Sequence, residues 1–159
     1  MEKSDLVHFL NQQPWCESLT LREVQTLIDY TELCNVSKGE VIADIGEVGD
    51  SLYFVIEGEA SLFVEDQGEA EVGRIPSGEL VGEMSFFDRR PRSVRMRATA
   101  PNTQLLKLTR KKYNRLRLEH PFIAVNLLEH AIVSLDHLFR RVSSDVATYS
   151  SYFYGKGKH

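Results

Sequence analysis

The residues best able to do chemistry crowd into Val81–Ala100, VGEMSFFDRRPRSVRMRATA. If the segment after Pro91 runs as a strand, Arg92, Val94, Met96 and Ala98 share one face, and Ser93, Arg95 and Arg97 share the other. The first set is apolar apart from Arg92, which places a guanidinium facing inward at the mouth of the β body. Such a charge is costly to bury unless an anion meets it. One candidate anion is internal, the carboxylate of Glu83 or Asp88. The other is a ligand phosphate, whose oxygens match the paired donors of a guanidinium. Gly82-Glu83-Met84-Ser85 follows an apolar residue and leads into Phe86-Phe87, an arrangement suited to opening a short helical turn. Free backbone N–H groups at such a turn attract anions, and Gly82 lets a ligand approach the backbone closely. Arg92 opposite those N–H groups is a phosphate clamp in outline. The residues alone leave the clamp and the internal salt bridge both open.

Other chemistries have less to work with. A cupin-like metal site needs histidines projecting from barrel strands, and His8, His120, His130, His137 and His159 all fall outside the β-rich segment. His130 and His137 lie seven residues apart, two helical turns, too far for one ion. No Gly-x-Ser-x-Gly elbow occurs, and neither Cys16 nor Cys34 has a histidine near it in sequence. No catalytic residue and no metal ligand is therefore expected. Two cysteines make no disulfide framework and read as reduced thiols in a cytoplasmic protein.

Three kinds of segment must position the clamp. The first, 1–38, reads as helical. Thr20 with Glu23 forms a capping-box pattern, Leu19 and Val24 suit a hydrophobic staple, and Leu21, Val24, Leu27 and Ile28 recur at helical spacing. From 39 to 108, short β-rich runs are cut by turn residues: Gly46, Gly49-Asp50, Glu57-Gly58, Gln67-Gly68 and Pro76-Ser77-Gly78. Leu52–Ile56 and Ala60–Val64 flank Gly58 as the strands of a hairpin. This pattern predicts a closed or double-sheet β body. After Thr109 the helical period returns. Ala124, Leu128, Ala131, Leu135, Leu138 and Val142 form a heptad-like seam that Ile132 and Phe139 widen. One flank of that helix would cover the β body and the other would meet a partner. Residues 148–159 read as a flexible tail.

The formal net charge of −4 is a small difference between two large imbalances. Residues 1–83 hold 4 Lys and Arg against 18 Asp and Glu, a balance of −14, and residues 84–159 hold 15 against 5, a balance of +10. The sign changes inside the proposed clamp, where the basic half favours a small anion and the acidic half discourages polyanions. A dedicated DNA-binding surface is disfavoured, so Arg110-Lys111-Lys112 with Arg115 and Arg117 reads as a solvated helix face. No apolar run approaches the roughly 18 residues of a membrane span, and the N-terminal stretch lacks the pattern of a secretory signal. Neither a nucleic-acid nor a membrane partner is expected.

The motif-bearing stretch resembles the phosphate-binding cassette of the cyclic-nucleotide-binding domain family. IADIGEVGDSLYFVIEGEA looks like that family's glycine-marked hairpins, with Gly46 and Gly58 at the characteristic glycines, and Gly82-Glu83 and Pro91-Arg92-Ser93 look like the two halves of the cassette. The resemblance implies an α+β fold: an eight-stranded β-roll of double-sheet jelly-roll type, flanked by N-terminal helices and a long C-terminal helix. It further implies one domain over 1–150, with the cassette at 81–95 and C-terminal helices at 109–147. By the same resemblance Arg92 pairs with the exocyclic phosphate oxygens and Glu83 accepts from the ribose 2′-hydroxyl. Gly82, Met84 and Ser85 supply the backbone cradle, Ser93 adds its hydroxyl and N–H, and the C-terminal helix is a lid over the base. Val94 stands where the family has a small alanine, which bears on packing behind the pocket. Arg141, Ser143 and Ser144 are polar positions on the last helix that could reach the base, but they read first as a solvated helix end. The function implied is that of a stand-alone, non-enzymatic module of bacterial type. It would take cyclic AMP in preference to cyclic GMP as its ligand, need no other cofactor, and signal through its last helix. A protein partner or second copy would dock along Leu128, Leu135, Leu138 and Val142. The other reading is a scaffold that keeps the fold and has lost the nucleotide.

Overall fold

The computed structural model describes residues 2–135. Two short helices open the chain, α1 (Lys3–Asn11) and α2 (Leu21–Asp29), with a 3-10 turn at Pro14–Cys16 between them. α2 starts at the expected capping box: Glu23 N–H donates to Thr20 Oγ1 at 3.1 Å, and Thr20 N–H donates to Glu23 Oε1 at 3.0 Å. Val24, Leu27 and Ile28 are buried as the spacing predicts, whereas Leu21 stays exposed.

Eight strands follow: β1 (Glu32–Val36), β2 (Val41–Ala43), β3 (Ser51–Glu57), β4 (Glu59–Glu65), β5 (Glu69–Pro76), β6 (Leu80–Val81), β7 (Arg95–Ala98) and β8 (Thr103–Thr109). They form two antiparallel four-stranded sheets, ordered β1-β8-β3-β6 and β2-β7-β4-β5. The eight-stranded double-sheet roll with flanking helices is the architecture that the resemblance implies.

Strand β3 shows how the layers stack. Its run Leu52-Tyr53-Phe54-Val55-Ile56 is buried throughout because both of its faces are covered. Leu52, Phe54 and Ile56 join Leu106 and Leu108 of β8 under the helices, in a cluster with Leu10, Trp15, Leu27, Phe86 and Leu116. Tyr53 and Val55 point the other way, into the space between the sheets, with Ala43, Ala60, Ile75, Met96 and Leu105. Phe54 stacks on Trp15 with ring centroids 4.6 Å apart.

Three sequence expectations are corrected. The helical N-terminal part stops short of residue 38, since β1 already pairs with β8 from Glu32↔Lys107 to Val36↔Thr103. Glu32, Cys34 and Asn35 gave that edge strand no apolar alternation to detect. Second, β7 starts at Arg95, so Arg92 lies before the strand. Met96 and Ala98 face inward as expected, but an isolated bridge, Val48↔Pro91, and a bend at Ser93-Val94 break the period ahead of them. Third, the helical C-terminal part is broken. α4 (Arg110–Glu119) ends at His120, whose backbone is non-helical (φ −139, ψ 69), and Pro121 opens α5, helical over 121–135. The residue before a proline is pushed out of the α region.

Within α5, Ile123, Ala124, Leu127 and Ala131 are buried against the roll. The seam members Leu128 and Leu135 are half-buried, and Leu128 packs on the core cluster. The exposed apolar residues of this helix are instead Phe122, Val125, Ile132 and Val133. Leu138, Phe139, Arg141, Val142, Ser143, Ser144 and the tail 148–159 lie outside the described residues. No helix among the described residues is long and apolar enough to cross a membrane.

Candidate functional site

The cassette is a single turn of helix, α3 (Glu83–Asp88), placed between β6 and the β7 approach. It is capped at both ends by left-handed residues, Gly82 (φ 90) and Arg89 (φ 58). Gly82 takes that conformation without penalty, and an L side chain would not. The first bond of the turn runs from Phe86 N–H to Gly82 O at 3.3 Å, so the N–H groups of Met84 and Ser85 precede the helical ladder. The Met84 side chain points to solvent.

Arg92 is held by its backbone to the loop that joins β2 to β3. Its N–H donates to Glu47 O at 2.7 Å, and Gly46 N–H donates to its carbonyl at 2.8 Å. The half-buried guanidinium lies against two glycines. A Cβ on Gly49 would sit 2.7 Å from Nη2, and one on Gly82 would sit 3.3 Å from Nη1 and 3.4 Å from Nη2. Among the described residues its one side-chain hydrogen bond is long, Nη2 to Ser51 O at 3.5 Å. Among the described residues no carboxylate comes within ion-pair distance of it. The internal salt bridge considered from sequence is therefore absent from the described residues. Asp88 accepts from Arg90 N–H at 2.8 Å, and Glu83 accepts from Ser134 Oγ–H at 2.9 Å.

Glu83 is buried at the start of α3. Burial pushes its carboxyl above the usual carboxylate range, against the pull of its own backbone N–H, of Ser134 and, more weakly, of Arg92. The Ser85 hydroxyl is fully engaged, accepting from Gly49 N–H at 2.7 Å and donating to Arg90 O at 2.6 Å. It ties the β2–β3 loop to the cassette, leaving its backbone N–H as the group able to face an anion. Ser93 is exposed beside Arg92, and Val94 is half-buried. The structure thus brings Gly82, Glu83, Met84, Ser85, Arg92 and Ser93 into one neighbourhood.

A family model described as "Cyclic nucleotide-binding domain" matches residues 33–120, which span β1 to the end of α4. The chain belongs to this family. Within it, a lysophospholipase of Pyricularia oryzae is 36% identical over 104 residues, covering 63% of this chain and 7% of that protein. The cAMP-dependent protein kinase type II regulatory subunit of Drosophila melanogaster is 31% identical over 108 residues, covering 67% of this chain and 29% of the relative. The chain therefore spans less than a third of the length of either. Among solved structures, the catabolite activator protein of Thermus thermophilus superposes with a TM-score of 0.71 at 29% identity, covering 87% of this chain and 64% of that one.

Three residues around the cassette escaped the sequence reading. Gly49 read only as a turn, yet its backbone borders Arg92. Arg110 was grouped with a solvated basic face, yet it is half-buried and its Nη2 donates to Gly49 O at 2.7 Å and Phe86 O at 2.6 Å. Its guanidinium lies 4.5 Å from the centroid of the Phe86 ring. Burial and the nearby Arg89 charge hold its pKa below the ordinary arginine value. A cation in the first turn of a helix opposes the helix dipole, a signal that Arg110 serves something other than α4. Ser134 lies 51 positions from Glu83, and no local pattern links them. Among the described residues no three His, Cys, Asp or Glu side chains gather as a metal site requires.

Proposed function

We propose that the chain is a regulatory module that binds a cyclic mononucleotide in the Gly82–Ser93 cassette, with cyclic AMP preferred to cyclic GMP, and acts in the cytoplasm. The observation that carries this reading is Arg92: a half-buried guanidinium with no carboxylate partner among the described residues, pressed against two glycine backbones. A charge left in that state gains most from an anion of phosphate geometry. The N–H groups of Met84 and Ser85 face the same anion, and Ser93 adds its hydroxyl and N–H. Glu83 takes the ribose 2′-hydroxyl. The preference for adenine is supported by the names of the relatives, a cAMP-dependent kinase subunit and a catabolite activator protein. The site performs recognition and no bond making. Ligand contact reorders the turn around Met84–Phe87, and Phe86 passes the change to α4 through Arg110 and Tyr113, whose ring centroid is 5.5 Å from that of Phe86. The signal then reaches a protein partner or a second copy through the C-terminal helix, by Leu128, Leu135, Leu138 and Val142, or by the already exposed Phe122, Val125, Ile132 and Val133.

Calorimetry with cyclic AMP and cyclic GMP on the parent and on Arg92→Leu tests the site. The parent binds, and the variant binds about 100-fold more weakly, since two charge-assisted hydrogen bonds are worth about 3 kcal/mol. Equal binding by the two proteins refutes the clamp. Absence of any thermal shift in the parent at millimolar nucleotide favours the ligand-free scaffold, because ligand at 100 times its dissociation constant stabilises by about 2.7 kcal/mol.

A further inference from the structure

The contact between Ser134 and Glu83 crosses the whole site, from the C-terminal helix to the first residue of the cassette. A serine inside a helix ordinarily bonds the carbonyl four residues back or points to solvent. Ser134 does neither; its hydroxyl donates to Glu83 Oε1 at 2.9 Å. In the stretch Ala131-Ile132-Val133-Ser134-Leu135 it is the single polar side chain, half-buried beside Ala131. Glu83 is only 8% exposed, so a new hydrogen-bond donor reaches its carboxylate only if the covering helix moves. The nearby cation does not compete for it, because Arg92 stays outside ion-pair distance. A serine hydroxyl and a ribose hydroxyl are the same kind of donor to the same kind of acceptor.

We propose that Ser134 holds the position on Glu83 that a ribose 2′-hydroxyl takes, so that nucleotide binding exchanges one hydroxyl for another and frees α5 from its Glu83 contact to settle over the base. The exchange rests on the nucleotide reading above and adds to it a residue that sets both sugar selectivity and the docked state of the helix. Because the number of hydrogen bonds is conserved, a ribonucleotide displaces the helix at little cost in bonding. A 2′-deoxyribonucleotide has no hydroxyl to offer in exchange and leaves Ser134 on Glu83, because displacing it would strand a buried carboxylate. Sugar discrimination and helix release are then one event.

The test compares the parent with Ser134→Ala and Ser134→Thr, the second keeping the hydroxyl. For Ser134→Ala, calorimetry is expected to show cyclic AMP binding about tenfold tighter, the equivalent of one hydrogen bond to a charged group. The 2′-deoxy analogue is expected to change by less than about twofold, and Ser134→Thr to match the parent. Unchanged or weaker binding of cyclic AMP to Ser134→Ala overturns the exchange, as does equal tightening of both nucleotides, which a merely loosened helix would produce. A second readout needs no ligand. Amide exchange over 121–135 should be faster in Ser134→Ala than in Ser134→Thr. The single tryptophan, Trp15, should report the same loosening, since its ring lies 5.8 Å from that of His130 and its carbonyl accepts from Asn126. Equal helix protection in the two variants overturns the latch whether or not nucleotide binds. A parent that binds neither cyclic nucleotide, but whose helix does loosen in Ser134→Ala, overturns the exchange and the nucleotide reading while leaving a helix contact.

Discussion

Arg92 and Arg95 are three residues apart and live in opposite environments. Arg95 faces outward from β7 and is surrounded by acid: Nε donates to Asp44 Oδ1 at 2.7 Å, and Nη1 to Glu69 Oε2 at 2.8 Å and Glu65 Oε2 at 3.2 Å. Arg97 shares Glu69 at 2.8 Å and donates to Gly39 O at 2.6 Å. Together these two cross-link β7 to the β2 region and to the β4–β5 hairpin. Among the described residues Arg92 cross-links nothing by charge. The acidic half of the chain thus supplies carboxylates to the β7 arginines and, among the described residues, none to Arg92. Neighbouring residues of the same type thus differ in pairing, one inside the β7 ladder among carboxylates and one ahead of it beside two glycines.

A third arginine sits between these extremes and carries the largest expected effect. Arg110 has no carboxylate within ion-pair distance among the described residues, but it bonds two carbonyls, one in the β2–β3 loop and one in α3. Arg110→Ala leaves those carbonyls unsatisfied and is expected to cost about 2–3 kcal/mol in urea denaturation. Arg110→Lys should rescue little of it, because a single ammonium lacks the planar fork of a guanidinium. A loss below about 0.5 kcal/mol, the ordinary surface range, would place Arg110 with the solvated residues after all.

The sharpest contrast comes next. Arg95→Met should lower the thermal midpoint clearly, because three carboxylates then face one another without their shared cation. Arg92→Met should leave stability within about 0.5 kcal/mol of the parent, since it removes no ion pair and one long hydrogen bond. If Arg92→Met destabilises as much as Arg95→Met does, Arg92 is a structural residue and the division between the two faces fails.

Much of this arrangement was legible in the sequence. Gly46, Gly58 and Gly82 mark turns whose backbones do adopt positive φ, and the turn spacing located the roll. The inward face of Met96 and Ala98 followed from strand alternation. The position of Arg92 did not, because extrapolating that alternation back through Pro91 assumed a ladder that Pro91 and the Ser93-Val94 bend interrupt. β1 was hidden because an edge strand with one face near solvent needs no apolar pattern. Contacts such as Arg110 with Phe86 and Ser134 with Glu83 depend on how α4 and α5 turn about the His120-Pro121 break, and that rotation is set by packing on the roll. Local sequence carries the turns and the faces; it does not carry the angle between elements.

The smallest effect expected is a pH dependence in which the two regions oppose each other. Hydrogen bonds from Arg95 to Asp44, and from Arg97 and Arg95 to Glu69, hold both carboxyls below their ordinary values. A depressed carboxyl contributes stability that is fully present above its unfolded pKa, about 4, and is lost as pH falls through the lower folded value. Glu83 has the opposite sign, since burial raises it. Its ionisation costs stability above the folded value, and that cost fades as pH falls from the folded value to the unfolded one, about 4. As pH falls from neutral to about 3, the fold therefore first recovers the Glu83 cost and then loses the outer ion pairs, so the cassette carboxyl partly offsets that loss. Urea midpoints measured across that window should fall more steeply in Glu83→Gln than in the parent, because the offset is gone. They should fall less steeply in Arg95→Met, where Asp44 has lost its ion-pair partner and Glu69 keeps only Arg97. Parallel profiles for all three proteins would mean that neither region governs the acid limb, and that the charges on the two faces of the roll are not energetically distinct.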